Sequence, residues 1–166
     1  LITYMRTDSV NLSEGSLHEA SVFIAKEFGE RYAVASPRRF KTKTKGAQEA
    51  HEAIRPTDPA RAPEGVKSHL DRNQGRLYEL IWRRFIATQM AEALFDATAV
   101  DVLAESQKTK DKRYTLRANG QIMKFDGFLR VWPTKTEDVI LPELTKDEAL
   151  NLEKLIPEQH FTEPPP

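Results

Sequence analysis

Asp71-Arg72-Asn73-Gln74-Gly75-Arg76-Leu77-Tyr78-Glu79-Leu80-Ile81-Trp82-Arg83-Arg84-Phe85-Ile86-Ala87-Thr88-Gln89-Met90 is the strongest helical pattern in the chain, and the pattern after it is of a different kind. Asp71 is an N-cap residue ahead of a helix predicted over 72–90, with Leu77, Leu80, Ile81, Phe85 and Thr88 on one face. Trp82, Ile86 and Met90 lie off that stripe, so the helix is expected to be covered on more than one side. Arg72, Arg76, Arg83 and Arg84 read as solvated helix charges. From Phe95 the period changes to two. Residues 98–103 and 114–117 alternate and are rich in β-formers, with a charged turn between them. Asn119-Gly120 is a hairpin signal ahead of a strand at 121–125, and Asp126-Gly127 a second bend before an apolar run at 128–132. The large aromatics here are expected to be sheet core rather than stacking platforms for bases. Near the end Thr145-Lys146-Asp147-Glu148 has the form of a capping box, yet Leu150 and Leu152 alternate.

Upstream of the long helix, Ser13 is expected to cap a helix running to about Phe28, with Leu17, Ala20, Ile24 and Phe28 at helical spacing and Gly29 after it. A Pro-rich crossing from Pro56 to Pro63 and a short helix around 64–70 lead into Asp71. The expected architecture is therefore α+β. A helical module occupies residues 1–93, and antiparallel strands occupy 94–166.

At 166 residues and 39% hydrophobic the chain can bury one sizeable core or two small ones. It has no run of eighteen apolar residues and no cationic leader, so no membrane partner is expected. The absence of cysteine rules out disulfides and Cys-ligated zinc within these residues and fits a reducing compartment. The net charge of zero conceals an asymmetry. Residues 1–92 carry 15 Lys and Arg against 12 Asp and Glu, whereas 93–166 carry 10 against 13. The densest basic stretch, Arg38-Arg39-Phe40-Lys41-Thr42-Lys43-Thr44-Lys45, interleaves cations with hydroxyls in a way that could track a phosphate backbone, although a solvated loop has the same composition.

Two short strings carry chemistry. In the first, Tyr4-Met5-Arg6-Thr7-Asp8-Ser9, β-branched residues precede a phenol and a guanidinium. A strand here would turn Tyr4, Arg6 and Asp8 to one face. A tyrosine hydroxyl with a pKa of ~10 needs roughly 4 kcal/mol to ionise at neutral pH, so a nucleophilic Tyr4 would call for a nearby cation, and Arg6 is placed to supply it. Considered alone, the pair also fits an amphipathic surface tyrosine. In the second string, Gln48-Glu49-Ala50-His51-Glu52-Ala53-Ile54-Arg55-Pro56 reads as a short helix stopped before Pro56, with His51 and Arg55 on one face as a two-pronged phosphate grip. The alternative is a surface helix in which Glu52 and Arg55 pair with each other. A zinc-protease motif is excluded, because Arg55 stands where a second His would be needed.

Together these strings resemble the type IA DNA topoisomerases. The likeness continues through Leu77-Tyr78-Glu79-Leu80-Ile81-Trp82-Arg83-Arg84-Phe85, Phe125-Asp126-Gly127-Phe128 and Gln159-His160-Phe161-Thr162, and so covers nearly the whole chain. Met5 is similar to the bacterial topoisomerase I form of the motif, where topoisomerase III enzymes tend to carry Pro and reverse gyrases His. The resemblance implies that Tyr4 cleaves one DNA strand and is esterified to its 5′ phosphate. It also implies that Arg6 stabilises the charged phosphorane and that His51 contacts the DNA phosphate. Arg55, Asp8 and the basic residues Lys41, Lys43 and Lys45 complete the residues expected at the DNA. The first module would be most of the tyrosine-bearing domain, a helical body of the catabolite-activator type, and the second part of a β-rich arch.

The resemblance further implies a magnesium cofactor, held by an acidic Toprim domain that has no counterpart here, since no D-x-D sequence occurs. The expectation is an internal piece of a cytoplasmic, nucleoid-associated enzyme that relaxes negative supercoils without ATP. Without the metal and acid partners the isolated piece is expected not to turn over. The partners implied are the single-stranded segments of negatively supercoiled DNA and the remaining domains of the enzyme. Two rival readings fit the order of residues less well. A tyrosine recombinase would need its Arg and H-x-x-R elements before a late Tyr, the reverse of the order here. A noncatalytic winged-helix module would make Tyr4 merely structural.

Overall fold

A computed structural model describes residues 1–40, 51–106, 112–135 and 137–163. Helix α1, Glu14–Phe28, opens at Ser13, whose hydroxyl accepts from the Ser16 amide, and closes at Gly29, whose φ of 102° is open to glycine. A one-turn helix α2, Pro63–Val66, and a 3₁₀ turn at Lys67–His69 lead to α3, Arg72–Gln89. The N-terminus of α3 carries a full capping box. Asp71 accepts from the Asn73 and Gln74 amides, and the Gln74 side chain accepts from the Asp71 amide. Strands β1, Leu94–Glu105, and β2, Arg113–Phe125, pair antiparallel in a long two-stranded ribbon. The molecule is α+β, in agreement with the sequence reading.

The core lies between α1 and α3. Ala20 and Ile24 from α1 meet Tyr78, Trp82, Phe85 and Ile86 from α3, with Met90 and Val131 closing one end. Full burial of side chains such as Ile24 and Ile86 contributes roughly 1.5–3 kcal/mol apiece. The buried stripe of α3 differs from the leucine stripe predicted above. Leu77 and Leu80 are 55% and 54% exposed, and the buried positions are 78, 82, 85, 86, 87 and 89. The physical reason lies in the Pro-rich crossing. Its carbonyls at Pro59 and Arg61 accept from the Trp82 indole N–H (2.8 Å) and the Tyr78 hydroxyl (2.7 Å), so both aromatics are buried with their polar ends satisfied. Phe23 packs edge-on against Trp82, with 5.9 Å between ring centres.

One predicted turn and one predicted strand are also absent, while the bend expected at Asp126-Gly127 is present where β2 ends. β2 runs unbroken through Asn119-Gly120, and Gly120 serves close packing instead. A Cβ there would lie 2.7 Å from the Val139 carbonyl oxygen and 2.8 Å from Leu141 Cγ. Its lack of a side chain lets residue 139 pair with Gln121 through two 2.9 Å backbone bonds. The apolar run at 128–132 is no strand. It begins with a 3₁₀ turn, Gly127–Arg130, whose Phe128 amide donates to the Ala91 carbonyl (2.9 Å). The Thr145 amide and hydroxyl both donate to the Glu148 carboxylate, but the Glu148 amide returns to the Thr145 carbonyl rather than its hydroxyl, so the expected capping box is a turn and no helix follows among the described residues.

Among the described residues the ribbon is rooted in the helical body around Tyr32 and Ala91. Ala91 donates to the Tyr32 carbonyl (2.8 Å), the Tyr32 hydroxyl donates to Asp126 (2.7 Å), and the Arg31 guanidinium lies 4.2 Å from the Phe125 ring centre. The bond to the Asp126 carboxylate, with burial and the carboxylate's own charge, pushes the Tyr32 phenol above its ordinary value.

Gly120→Ala is expected to displace residues 139–141 and speed hydrogen exchange at the Gln121 and Val139 amides. Gly75→Ala, where a Cβ meets nothing within 4 Å, should stabilise α3 by up to ~1 kcal/mol in a denaturant titration.

Candidate active site

Residues 1–12 and 51–57 run antiparallel and are stitched together at several points. The Thr57 amide donates to the Leu1 carbonyl (2.9 Å), Thr3 to Arg55 (2.9 Å) and Ala53 to Asn11 (2.8 Å), with Ile2 bridged to the buried Pro56. Side chains reinforce the backbone. Thr3 Oγ1 donates to the Ala53 carbonyl (2.8 Å) and accepts from the Arg55 amide (3.0 Å), while Ser9 Oγ donates to the His51 carbonyl (2.5 Å) and accepts from the Asn11 amide (3.1 Å). Residues 51–55 are therefore not the helix expected from their sequence. Pro56 biases Arg55 toward extended backbone, and the first segment takes the polar groups that a helix would have used internally.

Ile2 and Leu12 pack against the α1–α3 core, so the first segment is pinned near both ends and bulges between them. Tyr4 and Met5 sit on this bulge at 80% and 75% exposure. The Arg6 amide donates back to the Tyr4 carbonyl (3.0 Å), which turns the chain at Met5 and breaks the strand alternation predicted for Tyr4, Arg6 and Asp8. Arg6 and Asp8 converge on His51, and the Tyr4 hydroxyl has no hydrogen-bond partner among the described residues.

His51 is held between a cation and an anion. Its Nδ1 is 3.2 Å from Asp8 Oδ2, and Arg6 Nη1 contacts its Nε2 while lying 3.1 Å from Nδ1. One tautomer satisfies both neighbours: Nδ1–H donates to the Asp8 carboxylate and Nε2 accepts from Arg6. The other carboxylate oxygen, Asp8 Oδ1, is buried without a hydrogen-bond partner among the described residues. Ordered in this way, the cluster presents a guanidinium, two residues along the chain from an exposed phenol and a donor that a phosphodiester would need, together with an imidazole oriented by Asp8.

Arg55 lies elsewhere. Its Nε and Nη2 form a two-pronged pair with Glu52 Oε1 (2.9 Å) and Oε2 (3.1 Å), and its Nη1 donates to the Pro56 carbonyl (2.9 Å). Its side chain is only 12% exposed. Burial tends to raise the Glu52 carboxyl, but hydrogen bonds from Arg55 and Ser13 outweigh it and hold the group below its ordinary 4.5. Lys41, Lys43 and Lys45 lie outside the described residues. Sequence reasoning missed Thr3, Ser9 and Ser13 as parts of the site's frame. Their partners lie 39–52 positions away, and a lone hydroxyl residue gives no local signal of that.

Among the described residues no three His, Asp or Glu side chains gather as a metal site. The Asp8–His51 pair has no third ligand beside it, so these residues do not fit a resident magnesium. No helix of the described residues is long and apolar enough to cross a membrane.

The family model for DNA topoisomerase matches residues 1–166. DNA topoisomerase 1 of Rickettsia conorii is 44% identical over 172 residues, an alignment taking in 100% of this chain and 22% of that protein. DNA topoisomerase 1 of Pseudomonas aeruginosa is 47% identical over 167 residues, 99% of this chain and 18% of that protein. The full-length topoisomerase I structure from Thermotoga maritima superposes with a TM-score of 0.67 at 34% identity, across 86% of this chain and 21% of that one. The chain thus spans about a fifth of the length of these relatives.

Because the folded Glu52 value is depressed, the stability it contributes is complete above its ordinary 4.5 and is lost as pH falls through the folded value. Residues 51–57 are expected to loosen as pH falls below that ordinary value and through the depressed folded one, ahead of global unfolding, read as faster exchange at the Ser13 and Ala53 amides. Replacing Glu52 with Gln should remove that acid-dependent step.

Proposed function

The chain belongs to the DNA topoisomerase family, among the type IA topoisomerase I enzymes, and on that premise we propose that it carries the strand-cleaving tyrosine and its phosphate-handling partners. The observation that carries this reading is the convergence of Arg6, Asp8 and His51, drawn from two strings more than forty residues apart, with Arg6 two positions along the chain from an exposed Tyr4.

The Tyr4 phenol oxygen attacks the phosphorus of a DNA phosphodiester and the bond from phosphorus to the 3′ oxygen breaks. The phenol proton is lost to solvent or a base, and the departing 3′ oxygen gains a proton. The product is a 5′-phosphotyrosine with a free 3′ hydroxyl on the other end. One phosphate ester replaces another, so the energy of the broken link is kept and resealing needs no ATP. Arg6, exposed beside the tyrosine, shifts from His51 to the equatorial oxygens of the phosphorane, where negative charge accumulates. Once Arg6 has moved, His51 addresses the phosphate as the imidazolium, its Nε2 having gained a proton to donate while Nδ1–H stays on Asp8. Asp8 acts through His51, since a carboxylate repels phosphate directly, and fixes the ring by holding Nδ1–H. Magnesium, implied by the family resemblance, would be held by residues outside this chain. Residues 1–93 supply the tyrosine-bearing module and 94–166 part of a β-rich arch. In the whole enzyme, passage of a strand through the gap before resealing relaxes negative supercoils.

In the full-length enzyme, Tyr4→Phe should abolish the covalent protein–DNA adduct while leaving noncovalent DNA binding intact. An adduct mapped to another residue, or relaxation that survives the substitution, refutes the assignment. Arg6→Ala should slow single-turnover cleavage by about 10²–10³-fold and weaken DNA binding far less, and equal losses in both would remove Arg6 from the transition state.

A further inference from the structure

The Glu52–Arg55 pair sits one residue from His51 and takes no part in the chemistry above. Arg55 has five N–H groups. Three are committed, to both Glu52 oxygens and to the Pro56 carbonyl, and its side chain is nearly enclosed. The remaining two belong to a guanidinium whose charge is already matched by Glu52 and which is largely shut off from solvent. Glu52 is also shared with a second element. Its Oε1 accepts from the Ser13 amide (3.1 Å) and lies 3.5 Å from Ser16 Oγ, at the start of α1. One and four residues beyond Ser16, Leu17 and Ala20 are buried, Ala20 within the core shared with α3. The backbone around His51 is therefore bracketed, by Ser9 on its own carbonyl and by the Glu52 side chain immediately after it.

We infer that Glu52 and Arg55 form a positioning clamp that joins the His51 backbone to the N-terminus of α1 and so transmits the rigidity of the helical core to the cleavage site. This rests on the reading of Tyr4 and His51 given above. Neither residue touches DNA. Glu52 locates the main chain that carries His51, and Arg55 keeps the Glu52 carboxylate ionised and oriented by a planar fork that a lysine cannot reproduce. Without the clamp, the His51 main chain would lose its tie to α1 and keep only its bonds to the first segment, and a displacement of about 1 Å at a reacting group is enough to cost on the order of 10²-fold in rate.

The test uses the full-length enzyme on a single-stranded oligonucleotide, comparing single-turnover cleavage, DNA affinity and thermal stability. Glu52→Gln and Arg55→Lys should each slow cleavage by roughly ten- to a hundredfold with affinity near wild type. In a His51→Ala background, Glu52→Gln should add almost nothing, because its effect passes through the missing imidazole. Wild-type cleavage by either single variant would overturn the clamp. So would an undiminished Glu52→Gln effect without His51, or an affinity loss confined to Arg55→Lys, which would make Arg55 a phosphate ligand. Tyr4→Phe run in parallel separates the two failures. An adduct that persists there removes both readings, whereas its absence beside a fully active Glu52→Gln removes only the clamp.

Discussion

The seam between residues 1–12 and 51–57 is the constraint on which the rest of the site depends. Two segments far apart in the chain exchange backbone bonds through Leu1, Thr3 and Asn11, and two hydroxyls fasten the rest. Loop closure over some forty residues has an entropic cost that grows only slowly with length, so a few well-placed bonds plus the burial of Ile2, Leu12 and Pro56 can hold it shut. With the seam closed, the Tyr4 bulge has a fixed base and His51 a fixed address. Were it open, Arg6, Asp8 and His51 would be unrelated surface residues.

Support for the seam comes from the helical body beneath it. α1 contributes both a core face and an N-terminus that bonds Glu52, while α3 supplies the aromatics whose polar ends capture the Pro-rich crossing after residue 56. The same helices thus hold each end of the second segment. The ribbon of β1 and β2 is attached at a different corner, through Tyr32, Ala91, Asp126 and Phe128, and its long body carries cross-strand ion pairs such as Asp101–Arg117 on one face.

Much of this was legible in the sequence. Ser13 with Gly29, and Asp71 with Gln74, mark helix ends by local chemistry that holds wherever the helix packs. The change of period near residue 93 marks the passage from helices to strands. The errors share one cause. The Leu77–Leu80 stripe, the Asn119-Gly120 hairpin and the helix over 51–55 are sound local readings overridden by distant partners: the carbonyls of Pro59 and Arg61, the chain at 139–141, and residues 1–11.

By itself the sequence determined which side chains are available for chemistry, a phenol, a guanidinium, an imidazole and a carboxylate in two strings, and where the helices begin and end. Those properties depend on residue type and near neighbours. Only the tertiary structure decided which of these groups meet: Asp8 and Arg6 reach His51, Arg55 turns to Glu52, and Tyr4 stands clear. Spacing along a chain fixes direction only while the backbone stays regular, and here hydrogen bonds from residues forty or more positions away bend it.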